Sequence, residues 1–180
     1  MHDVFLTFPV IDLQIVKLRQ LHPSDTEDFY HFLCNEEVQK FLSIDDIPEN
    51  LEAAKVELMY WANLYTMLKS IYWGIVIPED DRLIGTCGFN TWNRTHKRAE
   101  ISYDLSHDYW GQGVMTRAAM AITKFAFDNM GVQRVQATVA EDNVASIKVL
   151  EKCGYQKEGL LNKFGILHKK SKNFYMYART

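Results

Sequence analysis

Apolar and polar residues alternate from Gln14 to Leu21, with Ile15, Val16, Leu18 and Leu21 set against Gln14, Lys17 and Arg19, as in a half-buried strand. Pro23-Ser24-Asp25 then opens a helix whose apolar positions Phe29, Phe32 and Leu33 recur at helical spacing, and a second amphipathic helix is expected from about Glu49 to Leu68. Ile71 to Ile77 and Leu83 to Phe89 are short runs rich in β-branched and aromatic residues. The turn formers Pro78-Glu79-Asp80-Asp81 join them, which predicts a hairpin. The polar turn Asn93-Arg94-Thr95-His96 leads into a third strand, Arg98 to Leu105. From Gly113 to about Asn129, the residues Met115, Ala118, Ala119, Ile122, Phe125 and Ala126 keep a helical period, and Gly131 ends that helix. Val132 to Ala140 reads as a strand. Asn143 begins a helix with Ile147, Leu150 and Cys153 on its apolar side and Gly154 at its C-terminal cap. Strands around Tyr155 to Leu160 and Asn173 to Ala178 follow. The order β-α-α-β-β-β-α-β-α-β-β predicts an α/β (α+β) fold, a mixed central sheet of about six to seven strands flanked by about four helices. The crossover through the Gly113 helix makes its two strands parallel.

Length and composition fit one domain spanning residues 1–180, with a core from about 14 to 178. The chain has 180 residues and 47% hydrophobic content, and it shows no repeat or low-complexity tract. A formal net charge of -3 supplies no global basic field, so no direct nucleic-acid binding is expected and an anionic ligand needs a local site. Cys34, Cys87 and Cys153 lack metal-ligand spacing and sit among apolar neighbours, which reads as three free thiols in a reducing compartment. The six histidines, His2, His22, His31, His96, His107 and His168, form no pair at ligand spacing, so no metal is expected. The apolar run within Met1 to Ile11 lacks a basic start and is interrupted by Thr7 and Pro9, unlike a signal peptide. No stretch approaches the ~18 apolar residues of a membrane span. The expectation is a cytoplasmic monomer or homodimer.

The chemistry concentrates where the Arg98 strand ends. Ala99-Glu100-Ile101-Ser102-Tyr103-Asp104-Leu105 is followed by Ser106-His107-Asp108 and then Tyr109-Trp110-Gly111-Gln112-Gly113-Val114-Met115-Thr116-Arg117-Ala118. Glycines before a helix start let backbone approach a ligand, and the first helical N–H groups carry partial positive charge, a cradle suited to a pyrophosphate. A tight strand-to-helix turn explains Gly-x-Gly equally well. The third glycine of a dinucleotide fingerprint is missing.

The frame Trp110-Gly111-Gln112-Gly113-Val114-Met115 resembles the acetyl-CoA motif Arg/Gln-x-x-Gly-x-Gly/Ala of the Gcn5-related N-acetyltransferases (GNAT superfamily). Trp110 stands in place of Arg or Gln, and Met115 in place of Gly or Ala. The block Asn143-Val144-Ala145-Ser146-Ile147-Lys148-Val149-Leu150-Glu151-Lys152-Cys153-Gly154-Tyr155 resembles that family's Asn-x-x-Ser helix, whose Asn lies along the pantetheine arm. The Tyr109-Trp110 version is similar to the RimJ/RimL branch, which acetylates ribosomal-protein N-termini. The resemblance implies a cofactor site of Tyr103, Asp104, Leu105, Trp110, Gly111, Gln112, Gly113, Val114, Met115, Thr116, Asn143 and Ser146. For these residues plainer readings also stand: Asn143 is a good N-cap, and Trp110 braces the turn.

Acetyl transfer from acetyl-CoA to an amine needs a base, an oxyanion donor and a proton for the leaving thiolate. Strand alternation puts Glu100, Ser102 and Asp104 on one face and Ile101, Tyr103 and Leu105 on the other. The resemblance implies Glu100 as base, backbone N–H groups near Tyr103 to Leu105 as oxyanion donors, and Ser146 or Tyr155 as the acid. Surface pairing of Glu100 with Arg98 or Lys97 is the plainer alternative. Asp45, Asp46, Glu49 and Glu52, with Tyr60 and Trp61, suit a cationic acceptor or simply a solvated helix start. The expected partner is a protein N-terminus or a small amine such as a polyamine or aminoglycoside. A non-catalytic acyl-CoA sensor is the rival class.

Overall fold

In a computed structural model, residues 4–180 are described; residues 1–3, which include His2, lie outside them. The strands are β1 (Ile11–Asp12), β2 (Lys17–Gln20), β3 (Tyr72–Val76), β4 (Leu83–Asn93), β5 (Arg98–Leu105), β6 (Arg134–Ala140), β7 (Gln156–Leu167) and β8 (Lys170–Arg179). They form one mixed sheet in the order β1-β2-β3-β4-β5-β6-β8-β7. The helices are α1 (Thr26–Leu33), α2 (Glu36–Gln39), α3 (Leu51–Thr66), α4 (Val114–Asn129) and α5 (Val144–Lys152). The class is as expected, with eight strands in place of six to seven. The extra strand is β1, which precedes the alternating segment from Gln14 and pairs with β2. Gln14 adopts φ 69 and donates its N–H to Asp12 Oδ1, so the alternation from Gln14 spans the tight turn between β1 and β2 and then the short strand β2.

Two cores sandwich the sheet, and β3 shows how. Its side chains alternate, so Trp73 and Ile75 pack with Ala118, Ala119 and Ile122 of α4, while Tyr72 and Val76 pack with Phe29 and Phe32 of α1 and Ala54 and Leu58 of α3. Both faces being covered, all five β3 residues are buried and the run carries no polar position. Truncating Leu58, which has no exposed surface, to Ala costs ~2–5 kcal/mol by lost transfer energy and cavity formation.

Arg19 joins β2 to the α1 entry and to the β3–β4 turn. Its guanidinium donates to both Asp25 carboxylate oxygens at 2.8 Å and to Asp81 at 3.0 Å. Asp25 also accepts the His22 N–H at 2.7 Å, closing the turn that starts α1.

Among the described residues the β5–β6 pair alone is parallel, joined through α4. Its register covers only Arg98↔Arg134, Ala99↔Val135 and Glu100↔Gln136. Beyond that point β5 stays paired with β4 as far as Leu105, and β6 stays paired with β8 as far as Ala140. The two strands therefore fork, and the fork positions the site.

Candidate active site at the strand fork

A cavity of about 670 Å³ runs through the fork, lined on one side by α4 and α5 and on the other by α1 and α3. Its far end is the glycine turn. Gly111 and Gly113 have φ of 74° and 77°, and a Cβ built at either meets nothing within 4 Å. Backbone conformation, rather than crowding, is what calls for glycine here, and the turn's flank is open. The first α4 backbone bond runs from Arg117 N–H to the Gly113 carbonyl. The N–H groups of Val114, Met115 and Thr116 thus lack intrahelical partners, and all three residues line the cavity. Met115 packs into the core, so the larger residue takes up space away from the turn. Trp110 donates its indole N–H to the Leu105 carbonyl at 2.8 Å, bracing the turn against the end of β5. Gln112 is off the lining and donates to the Asp108 carbonyl at 2.7 Å.

Along the middle of the cavity, Asn143 caps α5, its side chain accepting the Ser146 N–H at 3.0 Å. Ser146 Oγ shares a 2.8 Å hydrogen bond with the Tyr103 hydroxyl. Both line the cavity, and burial raises the Tyr103 phenol above its ordinary range, so it stays protonated. Tyr155 is placed elsewhere. Its hydroxyl bonds Thr123 at 2.7 Å within the core, off the lining. Burial pushes the Cys153 thiol up to about 11, and the thiol donates to the Thr116 carbonyl. It is therefore no thiolate at neutral pH.

Glu100 stands at the closed end of the fork. Its carboxylate accepts from Gln136 Nε2 at 3.3 Å and Thr138 Oγ1 at 3.4 Å, and pairs with neither Arg98 nor Lys97. Four residues on, Asp104 faces the α3 side, where its cross-strand partner is Thr86. There Trp61 and Tyr72 form an aromatic wall with ring centroids 4.5 Å apart, and Tyr72 donates to Asn90 Oδ1 at 2.8 Å. The Tyr72 ring lies across Gly88, where a Cβ would come within 2.5 Å of it. Asp46 and Glu57 line the same end. Of the acidic and aromatic rim expected from sequence, Asp46 and Trp61 reach the cavity; Asp45, Glu49, Glu52 and Tyr60 do not.

Burial moves three carboxyls upward. Desolvation, with the charges of Glu57 and Asp46, raises Asp104 from 3.8 to about 7. Glu57 is raised by burial and by Asp46, partly offset by the hydrogen bond it accepts from Trp61 at 3.4 Å. Asp46 is raised by burial and, more weakly, by Asp45. Sequence reading missed Glu57 altogether and saw Asp104 only as a cofactor contact. The available signal for Glu57 was an acid one turn from both Ala54 and Trp61, on the buried stripe of α3.

Residues 16–156 match the family described as the acetyltransferase (GNAT) domain. The chain belongs to the GNAT acetyltransferase family. As a GNAT protein it is 32% identical over 157 residues to the uncharacterised N-acetyltransferase YoaA of Bacillus subtilis (strain 168), covering 87% of this chain and 88% of that protein. It is 30% identical over 104 residues, 58% of each chain, to the ribosomal-protein-serine acetyltransferase of Escherichia coli (strain K12). Among solved structures, RimL, a ribosomal L7/L12 alpha-N-protein acetyltransferase in complex with coenzyme A, superposes with TM-score 0.87 at 20% identity, covering 95% of this chain and 97% of that one.

Proposed function

We propose that this GNAT enzyme transfers the acetyl group of acetyl-CoA directly to a primary amine, most specifically the α-amine of a protein N-terminus. The observation that carries the reading is the through-going fork, with an anion-suited glycine turn at one end and an acidic, aromatic pocket at the other. Val114, Met115 and Thr116 offer backbone N–H groups to a pyrophosphate, with Trp110, Gly111, Gln112 and Gly113 shaping the turn. Asn143 borders the pantetheine path. The β5 backbone from Tyr103 to Leu105, paired with β4 but past the end of its pairing with β6, supplies the oxyanion donor from its fork-facing edge. Ser146, backed by Tyr103, protonates the departing thiolate, a role Tyr155 would reach only by giving up Thr123. Support for the N-terminal acceptor comes from the similarity to ribosomal-protein acetyltransferases. A small polycationic amine is the second reading, favoured by Asp46 and Glu57.

A thiol-release assay with acetyl-CoA against N-terminal peptides, polyamines and aminoglycosides tests the assignment. Peptides are expected to give the highest kcat/KM. Turnover confined to polyamines or aminoglycosides moves the assignment to small amines, and acetyl-CoA binding without turnover on any acceptor makes the chain a sensor.

A further inference from the structure

Resting on the acetyl-transfer reading, we propose that the Asp104 carboxylate, rather than that of Glu100, takes the proton from the acceptor amine, which the Asp46 and Glu57 side of the cavity receives as an ammonium against Trp61 and Tyr72. Tyr103 and Asp104 are consecutive on β5, so their side chains leave opposite faces of the sheet. Tyr103 meets Ser146, where the thiolate must depart, and Asp104 meets the aromatic pocket, where the amine must enter. The reacting carbon between them is then one residue's width from both groups. Glu100 lies where β5 and β6 are still paired, about 13 Å back along the strand at ~3.3 Å per residue, with both oxygens already accepting hydrogen bonds.

The Asp104 carboxylate has no hydrogen bond or ion pair among the described residues, and its open side is the cavity. The groups facing it are Glu57 from α3, Asp46 from the turn before it and the neutral phenol of Tyr72 from β3. Thr86 of β4 and Ser102 of β5 share that face and carry no charge. The lysines of the cavity, Lys148 and Lys152, stand on α5 across the sheet. No cation holds this carboxylate in its ionised form, so an incoming ammonium is the partner it lacks. A base that titrates close to neutrality also suits proton removal at neutral pH.

The step balances. One amine proton passes to the Asp104 carboxylate and on to solvent. The free nitrogen attacks the thioester carbonyl, the N–C bond forms and the C–S bond breaks. The second proton lost by nitrogen replaces the one that Ser146 gives to sulfur.

The test measures thiol release from acetyl-CoA with an N-terminal peptide and with spermidine as probe acceptors, from pH 5.5 to 9. Wild type should show kcat/KM rising through an acid limb near pH 7. Asp104→Asn should lose ~10²-fold or more in kcat, lose that limb, and keep its acetyl-CoA affinity. Glu57→Gln should move the limb to lower pH, because removing a neighbouring negative charge makes Asp104 easier to ionise. Glu100→Gln should keep the limb where it is. A limb that persists in Asp104→Asn and vanishes in Glu100→Gln overturns the proposal, as does an Asp104→Asn enzyme with the wild-type rate. Wild type silent with both acceptors and with aminoglycosides refutes the acetyl-transfer reading itself.

Discussion

Asp104→Asn should make the ligand-free protein more stable at pH 8 while leaving it unchanged near pH 4. In the unfolded chain this carboxyl titrates near 3.8, and in the fold burial and the Glu57 and Asp46 charges move it to about 7. Folding therefore favours the protonated form. Below about pH 4 both states hold the proton and Asp104 contributes no difference. As pH rises from there to 7 the unfolded chain gives up its proton first, so stability falls, and above 7 the full penalty is present. Moving from 3.8 to about 7 at ~1.4 kcal/mol per tenfold change places the ceiling of that penalty at ~4 kcal/mol. Asparagine has the same shape and no charge, which removes the titration. Urea unfolding of wild type and variant at pH 4, 6 and 8 should give a gap that opens with pH and plateaus above 7. Parallel stability curves at a fixed offset would refute the reasoning, because they would mean that Asp104 ionises in the fold as easily as outside it. Such a penalty is what an acceptor ammonium would relieve on binding.

Further outcomes follow from the same geometry. Ser146→Ala should lower kcat by ~10²-fold in single-turnover assays with acetyl-CoA affinity little changed, since Asn143 still caps α5 through the Ser146 backbone N–H. Asp25→Ala, which leaves the buried Arg19 guanidinium with the exposed Asp81 carboxylate as its ionic partner, should destabilise by ~3 kcal/mol in urea titration. Asp81→Asn, which keeps a residue suited to the left-handed backbone at φ 56 while removing the charge of a side chain that is 61% exposed, should cost under ~1 kcal/mol.

The fold was legible wherever burial imposes a period. The α4 stripe from Met115 to Ala126 is the buried face, with Phe125 half-buried, and the parallel β5–β6 crossover follows from helix length and handedness. Legibility failed at Gln14, because an alternating pattern looks the same across a tight turn as along a strand. In the site, the glycine turn, Trp110 as a brace and Asn143 as a cap were local features and readable as such. Glu57 and Asp104 were not, because their meaning depends on three segments, Asp46, α3 and β5, converging on one desolvated pocket. Tyr155 followed a glycine as a motif requires, but Thr123, distant in sequence, captured its hydroxyl.

The central claim is that the fork holds acetyl-CoA with its pyrophosphate on the Gly111–Gly113 turn. Calorimetric titration of acetyl-CoA into wild type, Gly113→Asn and Gly113→Asp tests it most directly. Asn and Asp both tolerate the left-handed backbone at Gly113, so the pair isolates charge from conformation. Wild type and Gly113→Asn should bind, and Gly113→Asp should bind at least ~10-fold more weakly than Gly113→Asn, the equivalent of ~1.4 kcal/mol. Equal affinity for the two variants, or no heat of binding with wild type, would contradict the account.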